Sequence, residues 1–432
     1  MTAIATTTRF GVPLWTATAR PRAVRPALAG ERRTAVAVVG GGFLGLSAAL
    51  HLAESGRAVT LVEAGTIAAG ASGRNAGFVV PNFAKVDPDA VLARLGPEAG
   101  ERLLAATGAS ADLVFGLIRR LKIRCDARQS GWIQPAHAKV ALPKLSKRAR
   151  AWADRGRPAE WLKAEDLAAS LGTAYSPGGW IDRSGGVVHP VDYAAGLAAA
   201  AEAAGAVVHE RSPVTALERD GSGWTVVTPR GRIGADAVVV ATNAMGALDR
   251  RLALSFLPLT VHQIATEPLP ASVRARLLPD DQCVSDTARD LFTFRFDAEN
   301  RLITGGMAAW PFGAERRIPA AIHARAARIL GLPDLPPIAH AWTGVAAVMP
   351  DFLPHLFELA PGLLAGIGCN GRGIAVSTMI GKAIADHLCG HDGIGLPFAA
   401  PIPIAVHRLA RLAPYAFLPY ARLRDALDRR KG

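Results

Sequence analysis

The sequence predicts an α/β protein, in which a Rossmann-like nucleotide-binding domain is joined to an α+β domain with an antiparallel sheet. The first domain is indicated by residues 35–63, where a strand pattern, a glycine turn, a helical pattern and a second strand follow one another. The second is indicated by residues 257–268 and 291–307, which alternate apolar and polar side chains around turn residues. A chain of 432 residues is long enough for two domains.

The first strand and helix, residues 35–39 and 44–53, enclose a glycine turn of the form G-x-G-x-x-G. In such a turn the first glycine permits the tight bend, the second lets a pyrophosphate approach the backbone, and the third lets the helix pack closely on the strand. Unpaired N–H groups at the helix N-terminus attract the anion. The candidate ligand contacts here are Gly40, Gly42, Phe43, Leu44 and Gly45.

An acid follows the second strand, residues 58–62. Glu63 lies 18 residues after Gly45, near the spacing at which a carboxylate accepts hydrogen bonds from a ribose. Because a carboxylate repels a 2′-phosphate, we expect a dinucleotide with an unphosphorylated adenosine. Residues 34–53 are also apolar over about the length of a membrane span. The adjacent glycines and the strand that follows favour the nucleotide site.

Composition narrows the classes of partner. The net charge of +13 comes mostly from arginines spread along an alanine-rich chain, and aromatic residues make up only 6% of it, so a nucleic acid is not the expected partner. The four cysteines are widely spaced, without a C-x-x-C pair, and we expect no metal and no disulfide framework. The first residues lack the basic and apolar regions of a signal peptide, which predicts a cytoplasmic protein.

Residues 64–80 are rich in small side chains, with an Arg-Asn pair between glycines. Small residues allow a backbone to approach a ligand closely. We therefore expect cofactor contacts from this segment. They are Ala64, Ser72, Gly73, Arg74, Asn75 and Gly77.

The glycine fingerprint, Glu63 and the segment GASGRNAG together resemble the D-amino-acid-oxidase-like (glycine/sarcosine oxidase) superfamily of FAD-dependent oxidoreductases. The resemblance is greatest to the branch around γ-glutamylputrescine oxidoreductase. It implies FAD as the cofactor, with GASGRNAG around its pyrophosphate and ribityl chain. Some relatives attach FAD to a cysteine, but in a different sequence context from that of Cys369, so we expect non-covalent FAD.

The same resemblance divides the chain into two discontinuous domains. It assigns residues 34–85, 186–245 and 341–395 to the FAD-binding domain, and residues 86–185 and 246–340 to the substrate domain. The return of the chain to the first domain would bring the backbone near Val214 to the adenine. Thr242 and Asn243 would follow a central strand at its carboxyl end, where ligands of doubly wound sheets bind.

Two candidate catalytic residues lie in the predicted antiparallel sheet. Period-two alternation places Phe292, Phe294 and Phe296 on one face and Arg295 on the other. If the phenylalanines pack on helices, Arg295 faces the cofactor and binds a substrate carboxylate. His262 is a second candidate for the substrate pocket. For both residues a purely structural role is the alternative.

A glycine block near the C-terminus, within residues 342–386, resembles the closing segment of the family. Its glycines would approach the isoalloxazine ring, and the helix that follows would direct its positive end at the flavin N1–C2=O edge. Arg372, inside the block, would add to this field or bind substrate. The cofactor candidates are Gly368, Gly371, Gly373 and Ile374.

The two ends of the chain are predicted to lie outside both domains. Residues 1–33 form an arm that packs along the protein, anchored by Phe10 and Trp15. Residues 396–432 form a basic, amphipathic tail.

Prolines at 414 and 419 are expected to break the tail into short helices. We expect the tail to pack on the protein, with peripheral contact to an anionic membrane as the alternative.

The predicted function is oxidation of the C–N bond of an amine or amino acid, by hydride transfer to flavin N5, giving an imine that hydrolyses. The acceptor is oxygen or an electron carrier, because residues 246–340 contain no lysine of the kind that sarcosine-oxidase-like relatives use to activate oxygen. The alternatives are a flavoprotein that acts on RNA and a non-catalytic protein that binds an adenine dinucleotide.

Overall fold

The computed structural model describes residues 4–245, 248–310 and 312–431. The strands are β1 (Ile4–Phe10), β2 (Gly30–Val39), β3 (Val59–Val62), β4 (Phe78–Val79), β5 (Trp132–Pro135), β6 (Ala159–Lys163), β7 (Gly178–Asp182), β8 (Gly186–Val187), β9 (Val207–His209), β10 (Ala216–Asp220), β11 (Gly223–Val227), β12 (Gly231–Val240), β13 (Leu257–Pro268), β14 (Cys283–Ser285), β15 (Thr293–Phe296), β16 (Arg301–Gly306), β17 (Ile338–Val348), β18 (His355–Ala360), β19 (Leu363–Ile367) and β20 (Phe398–Ala399). The α-helices are α1 (Leu14–Ala17), α2 (Phe43–Glu54), α3 (Pro88–Leu95), α4 (Pro97–Gly108), α5 (Ser110–Arg120), α6 (Leu142–Ala153), α7 (Ala164–Leu171), α8 (Pro190–Ala203), α9 (Arg250–Leu254), α10 (Ala271–Arg274), α11 (Ala314–Leu330), α12 (Gly373–Leu388), α13 (His407–Ala410) and α14 (Ala413–Arg430). Two 3₁₀ turns cover Ala71–Gly73 and Lys139–Ala141.

The first sheet, here called the nucleotide sheet, has the strand order β20-β18-β19-β12-β2-β3-β9. From β19 to β9 every neighbouring pair is parallel. Val39 pairs with Val240 on one side and with Val62 on the other, so β2, β12 and β3 end together. The glycine turn, Glu63 and Thr242 therefore meet at one edge, where doubly wound sheets bind their ligands.

Helix α2 lies between this sheet and helices α8 and α12. The approach of α12 is close, since a Cβ at Gly381 would lie 2.3 Å from the carbonyl oxygen of Leu44. Burial on every side explains why the sequence of α2 is almost wholly apolar. In the part of the chain that the structure describes, no helix has both the length and the apolar sequence needed to cross a bilayer.

The second sheet has the order β1-β17-β13-β16-β15-β14-β5-β7-β6 and is largely antiparallel, as the sequence predicts. Strand β13 has the predicted bounds. The predicted boundary at residue 340 divides a strand, because β17 pairs with β13 as far as Val348. Residues 341–348, predicted for the FAD-binding domain, thus belong to the second sheet.

The N-terminal arm packs on the protein, as expected. Strand β1 pairs with β17, and Leu14 and Trp15 are buried. The Trp15 Nε1–H donates to the carbonyl oxygen of Asn75 at 2.6 Å. Phe10, the other predicted anchor, is exposed and does not serve as one.

The tail packs on the protein through Asp425 and Asp428, as expected, but it is not broken at Pro419. Helix α14 is continuous through Pro419. Pro414 stands in its first turn, where a missing N–H costs nothing. Pro419 is exposed and leaves only the carbonyl of Tyr415, one turn earlier, without its helical donor. From Ala413 to Arg430 the tail therefore forms one helix of 18 residues, preceded by the short helix α13.

Candidate functional site

A cavity of about 1420 Å³ is lined by residues of both sheets and of the tail. This volume exceeds the ~300–1,000 Å³ of ordinary ligand pockets and suits a dinucleotide together with a substrate. Most of the predicted cofactor residues line it, although they come from distant parts of the sequence. They are Gly40, Gly42, Phe43, Leu44, Glu63, Ala64, Ser72, Arg74, Asn75, Val214, Thr242, Asn243, Gly368, Gly371, Gly373 and Ile374.

The other three predicted cofactor residues lie behind the cavity wall. A Cβ at Gly45 would stand 2.0 Å from the carbonyl oxygen of Gly40, which agrees with its expected role in helix packing. A Cβ at Gly73 would stand 2.3 Å from the Ala68 oxygen, and one at Gly77 would meet a guanidinium nitrogen of Arg295 at 2.3 Å. These glycines shape the wall and do not line it.

Glu63 is held at the end of β3 by two backbone amides. Its Oε2 accepts from the Gly41 N–H at 2.7 Å, and its Oε1 accepts from the Gly65 N–H at 2.8 Å. Each carboxylate oxygen has a further lone pair for a hydroxyl donor. Glu63 is thus fixed beside the glycine turn and free to accept hydrogen bonds from a ribose.

The segment GASGRNAG is tied to its surroundings by its polar side chains. Ser72 Oγ accepts from the Phe43 N–H at 3.1 Å, which brings the segment to the N-terminus of α2. Asn75 closes it, donating to Ser72 O at 2.7 Å and accepting from the Gly77 N–H at 2.8 Å. Arg74 donates to the Thr343 oxygen on β17 at 3.1 Å. The segment therefore links the two sheets.

The glycine block before α12 leaves open space at the cavity. Gly371 has φ +86°, and no atom lies within 4 Å of where its Cβ would be. Asn370 fixes the loop, donating to Gly368 O at 2.6 Å and accepting from the Met349 N–H at 2.8 Å. The N-terminus of α12 begins at Gly373 on the cavity wall. A ring would fit against this wall with the positive end of α12 beside it.

Arg372 caps α12 from inside the block and lines the cavity. Its guanidinium carbon lies 4.9 Å from the centroid of the Trp132 ring. Its Nε is buried and has no hydrogen-bond partner among the described residues. Burial, with the Arg148 charge, lowers the pKa of Arg372 to about 10. An unpaired buried cation is costly, and an anion bound in the cavity beside Arg372 would offset that cost.

Lys85 is a second cation on the cavity wall, which the sequence analysis missed. Its side chain is exposed to the cavity but enclosed by protein. This burial, with the charges of Arg372 and Arg148, lowers its pKa. A lone lysine in a loop carries no signal that could have identified it. Glu63, at the nucleotide end, is the only carboxylate residue among the described residues that line the cavity.

Arg289 and the tail complete the wall and were also missed. One guanidinium nitrogen of Arg289 donates to Asp425 Oδ1 at 3.0 Å and to Asp428 Oδ2 at 2.7 Å. This anchors α14, whose Phe417 and Leu418 line the cavity. The two aspartates and His137 are close enough together to hold a metal ion, but Arg289 already forms salt bridges with both carboxylates.

Arg295 does not line the cavity. The expectation that it binds a substrate carboxylate is therefore corrected. It lies on the predicted face of β15, opposite the buried phenylalanines, but is only 1% exposed. Its Nη1 donates to the carbonyl oxygens of Gly77 and Val188, each at 2.9 Å. Burial lowers its pKa to about 10. Arg295 supports the cofactor segment from behind.

His262 is also outside the main cavity. It lines a neighbouring cavity of about 260 Å³, together with Glu315, Arg411 and Tyr415. Burial lowers the pKa of His262. The expectation that His262 contacts substrate in the main cavity is corrected. Side chains alternate along β13, so His262 lies on the opposite face of the strand from Val261, which lines the main cavity.

Cys369 lines the cavity and is a free thiol. Burial raises its pKa, so it stays protonated. A protonated thiol is a poor nucleophile, in agreement with non-covalent FAD.

Known proteins resemble this chain over most of its length. The family model described as FAD dependent oxidoreductase (DAO) matches residues 35–387. The γ-glutamylputrescine oxidoreductase of Escherichia coli (strain K12) is 31% identical over 362 residues, which are 82% of this chain and 83% of that protein. The glycine oxidase of Geobacillus kaustophilus (strain HTA426) is 30% identical over 376 residues, covering 81% and 92% of the two chains.

Solved structures show the same fold. Glycine oxidase from Geobacillus kaustophilus superimposes with a TM-score of 0.66 at 25% identity, covering 84% of this chain and 96% of that one. L-amino acid deaminase from Proteus myxofaciens does so with a TM-score of 0.71 at 18% identity, covering 88% and 96%.

The cavity fits FAD on its own geometry. Glu63 stands ready for a ribose, the N-terminus of α2 for a pyrophosphate, and the open space at Gly371 for a ring beside the N-terminus of α12. With the match over residues 35–387, this chain belongs to the DAO family of FAD-dependent oxidoreductases.

Proposed function

We propose that this protein oxidises the C–N bond of an amino acid, or of another amine that carries a carboxylate, and that Arg372 and Lys85 bind the carboxylate. The names of its relatives indicate amine and amino-acid substrates. The observation that supports the narrower choice is the pair of cavity cations that form no salt bridge with a carboxylate among the described residues. A free diamine would add positive charge to this region, at a Coulombic cost.

FAD, when bound, accepts the hydride that leaves the substrate carbon. The residues of this chain orient the substrate and set its protonation. Arg372 and Lys85 would hold the carboxylate, and their charge lowers the pKa of a nearby ammonium group. The neutral amine that hydride loss requires is therefore favoured without a general base.

The apolar part of the cavity excludes water from the reacting bond. Leu259 and Val261 come from β13, and Phe417 and Leu418 come from α14. In such surroundings the charged groups act more strongly than they would in water. The tail is therefore part of the substrate site in this proposal.

The acceptor in the proposal is oxygen or an electron carrier. We place the protein in the cytoplasm, which agrees with its four free cysteines, and the basic tail is the segment that would touch a membrane surface. Nucleic acid is not a proposed partner.

Anaerobic mixing with a panel of compounds tests the proposal. The panel pairs each amino acid with the amine that lacks its carboxylate, and loss of flavin absorbance reports oxidation. We expect bleaching by at least one amino acid and little by its partner amine. Bleaching by amines alone would contradict the carboxylate assignment. Absence of bleaching by every compound, together with salt-sensitive RNA binding, would favour the RNA alternative.

A further inference from the structure

The tail has an outer face on which apolar side chains lie exposed. Leu409 is 67% exposed and Leu423 is 60% exposed. The face is completed by Leu412, Tyr420 and Leu427, all exposed, and Phe417 stands at its edge, since it is 48% exposed and also lines the cavity. On α14 the spacing of residues 420, 423 and 427 places them on one side of the helix. Each exposed Leu or Phe costs free energy in water, so a row of them indicates an apolar partner.

A second exposed apolar feature lies beside this face. Trp310 is 61% exposed and Phe312 is 73% exposed, with ring centroids 5.5 Å apart. Their loop is held against the tail, since Arg422 donates to the carbonyl oxygen of Met307 at 3.5 Å. Tyr415 of α14 and Ala308 line the same small cavity. Trp, Tyr and Phe are the side chains that anchor proteins at membrane interfaces.

The exposed charges of the tail are all positive among its described residues. They are Arg408, Arg411, Arg422, Arg424, Arg429, Arg430 and Lys431. The two acids of α14, Asp425 and Asp428, are buried and bound to Arg289. Apart from Arg422, which pairs with Asp290 at 2.8 Å, the helix therefore turns its negative charge to the protein and its positive charge to the outside.

We propose that this outer face, with Trp310 and Phe312, binds the surface of an anionic phospholipid membrane. Cationic side chains interleaved with exposed aliphatic and aromatic ones suit headgroups and the acyl boundary together. A second copy of the chain would bring like charges together. An RNA would satisfy the arginines and leave the leucines in water. The inner side of the same helix lines the cavity, so a membrane would cover a wall of the substrate site.

Co-sedimentation of the FAD-loaded full chain with vesicles tests this inference, independently of any reaction. We expect binding to phosphatidylcholine vesicles with phosphatidylglycerol, at least about tenfold tighter than to phosphatidylcholine alone, and weaker at high salt. Two double variants, Leu409→Ser with Leu423→Ser and Arg424→Glu with Arg429→Glu, should each lose about tenfold or more in affinity.

Matched controls lie outside the tail. Val24 is exposed and apolar, and Arg32 and Arg230 are exposed arginines without an ion pair among the described residues. Val24→Ser and the double variant Arg32→Glu with Arg230→Glu should keep wild-type binding. Retained FAD shows that each variant is folded.

Several results would overturn the inference. One is failure of the wild type to bind any vesicle, and another is equal binding of the wild type to neutral and anionic vesicles. A third is binding of both tail variants to anionic vesicles as tightly as the wild type binds them. A dimer in sedimentation velocity that both tail variants dissociate would assign the face to self-association. Tighter binding to single-stranded RNA than to vesicles, lost in the arginine variant alone, would assign it to RNA.

Discussion

Arg372 packs over the ring of Trp132, with its guanidinium carbon 4.9 Å from the ring centroid. In this position its side chain lines the cavity, and its Nε forms no hydrogen bond with any described residue. The aromatic face stabilises the charge that burial opposes. The guanidinium is thus held in place before a ligand arrives, so carboxylate binding costs little ordering of the side chain.

Lys85 should give carboxylate binding a pH dependence. Its pKa is lowered, so it loses its proton at a pH below that of an ordinary lysine, and affinity should fall as pH rises through that value. The measurement is the Kd of an unreactive carboxylic acid, which has no amine to titrate. Lys85→Met should weaken binding by roughly tenfold at neutral pH and flatten the profile. A profile unchanged in Lys85→Met would show that another group titrates.

Gly371→Ala should release FAD. A Cβ at this position enters the open space on the cavity wall and also costs ~1 kcal/mol at φ +86°. Gly390 is the matched control, with φ +78° and no atom within 4 Å of its Cβ position, at the end of α12. Gly390→Ala should lower stability by a similar amount and keep its FAD. Equal FAD content in the two purified variants would count against a ring at Gly371.

Asp425→Asn should loosen α14. The Asp425 carboxylate accepts from the Arg289 guanidinium and from the amides of Arg289 and Asp290, between 3.0 and 3.1 Å. Loss of a buried charge-assisted contact costs ~1–3 kcal/mol, so amide exchange across α14 should speed up by about tenfold or more. Glu358→Gln, at an exposed carboxylate on β18, is the control and should leave exchange unchanged. Unaltered protection in Asp425→Asn would mean that apolar packing alone holds the helix.

Arg295→Met should destabilise the protein without changing substrate preference. The variant removes the guanidinium donor from the Gly77 and Val188 carbonyls in a fully buried site, although the Gly77 carbonyl keeps the Val188 N–H at 3.0 Å. The expected cost is ~2–4 kcal/mol in the free energy of unfolding. Thermal unfolding measures the loss, and kinetics on a carboxylate substrate and its partner amine measure preference. If Arg295→Met lost activity on the carboxylate substrate but kept it on the partner amine, Arg295 would again be the residue that binds the carboxylate.

The nucleotide end of the site could be predicted because its signals are local. The glycine turn, Glu63 and the strand registers follow from a continuous stretch of sequence, and their positions agree with it. The face of β15 could be predicted from alternation, but the role of Arg295 could not, because Gly77 and Val188 reach it from distant segments.

The substrate end depends on contacts between residues far apart in the chain. Lys85 and Arg289 come from loops without a pattern, and the last helix joins the wall through Asp425. Pro419 predicts a break in the helix, but α14 continues through this exposed position. Composition, period and spacing carry none of this information.

One measurement tests the proposed function most directly. It is the anaerobic rate of flavin reduction by an amino acid and by the amine that lacks its carboxylate, in the wild type and in Arg372→Met. In the wild type we expect the amino acid to reduce the flavin at least about 100-fold more efficiently, and Arg372→Met should remove most of that difference, as expected for a lost charge-assisted contact of ~1.5–3 kcal/mol. Equal efficiencies in the wild type, or an unchanged ratio in the variant, would contradict carboxylate binding by Arg372.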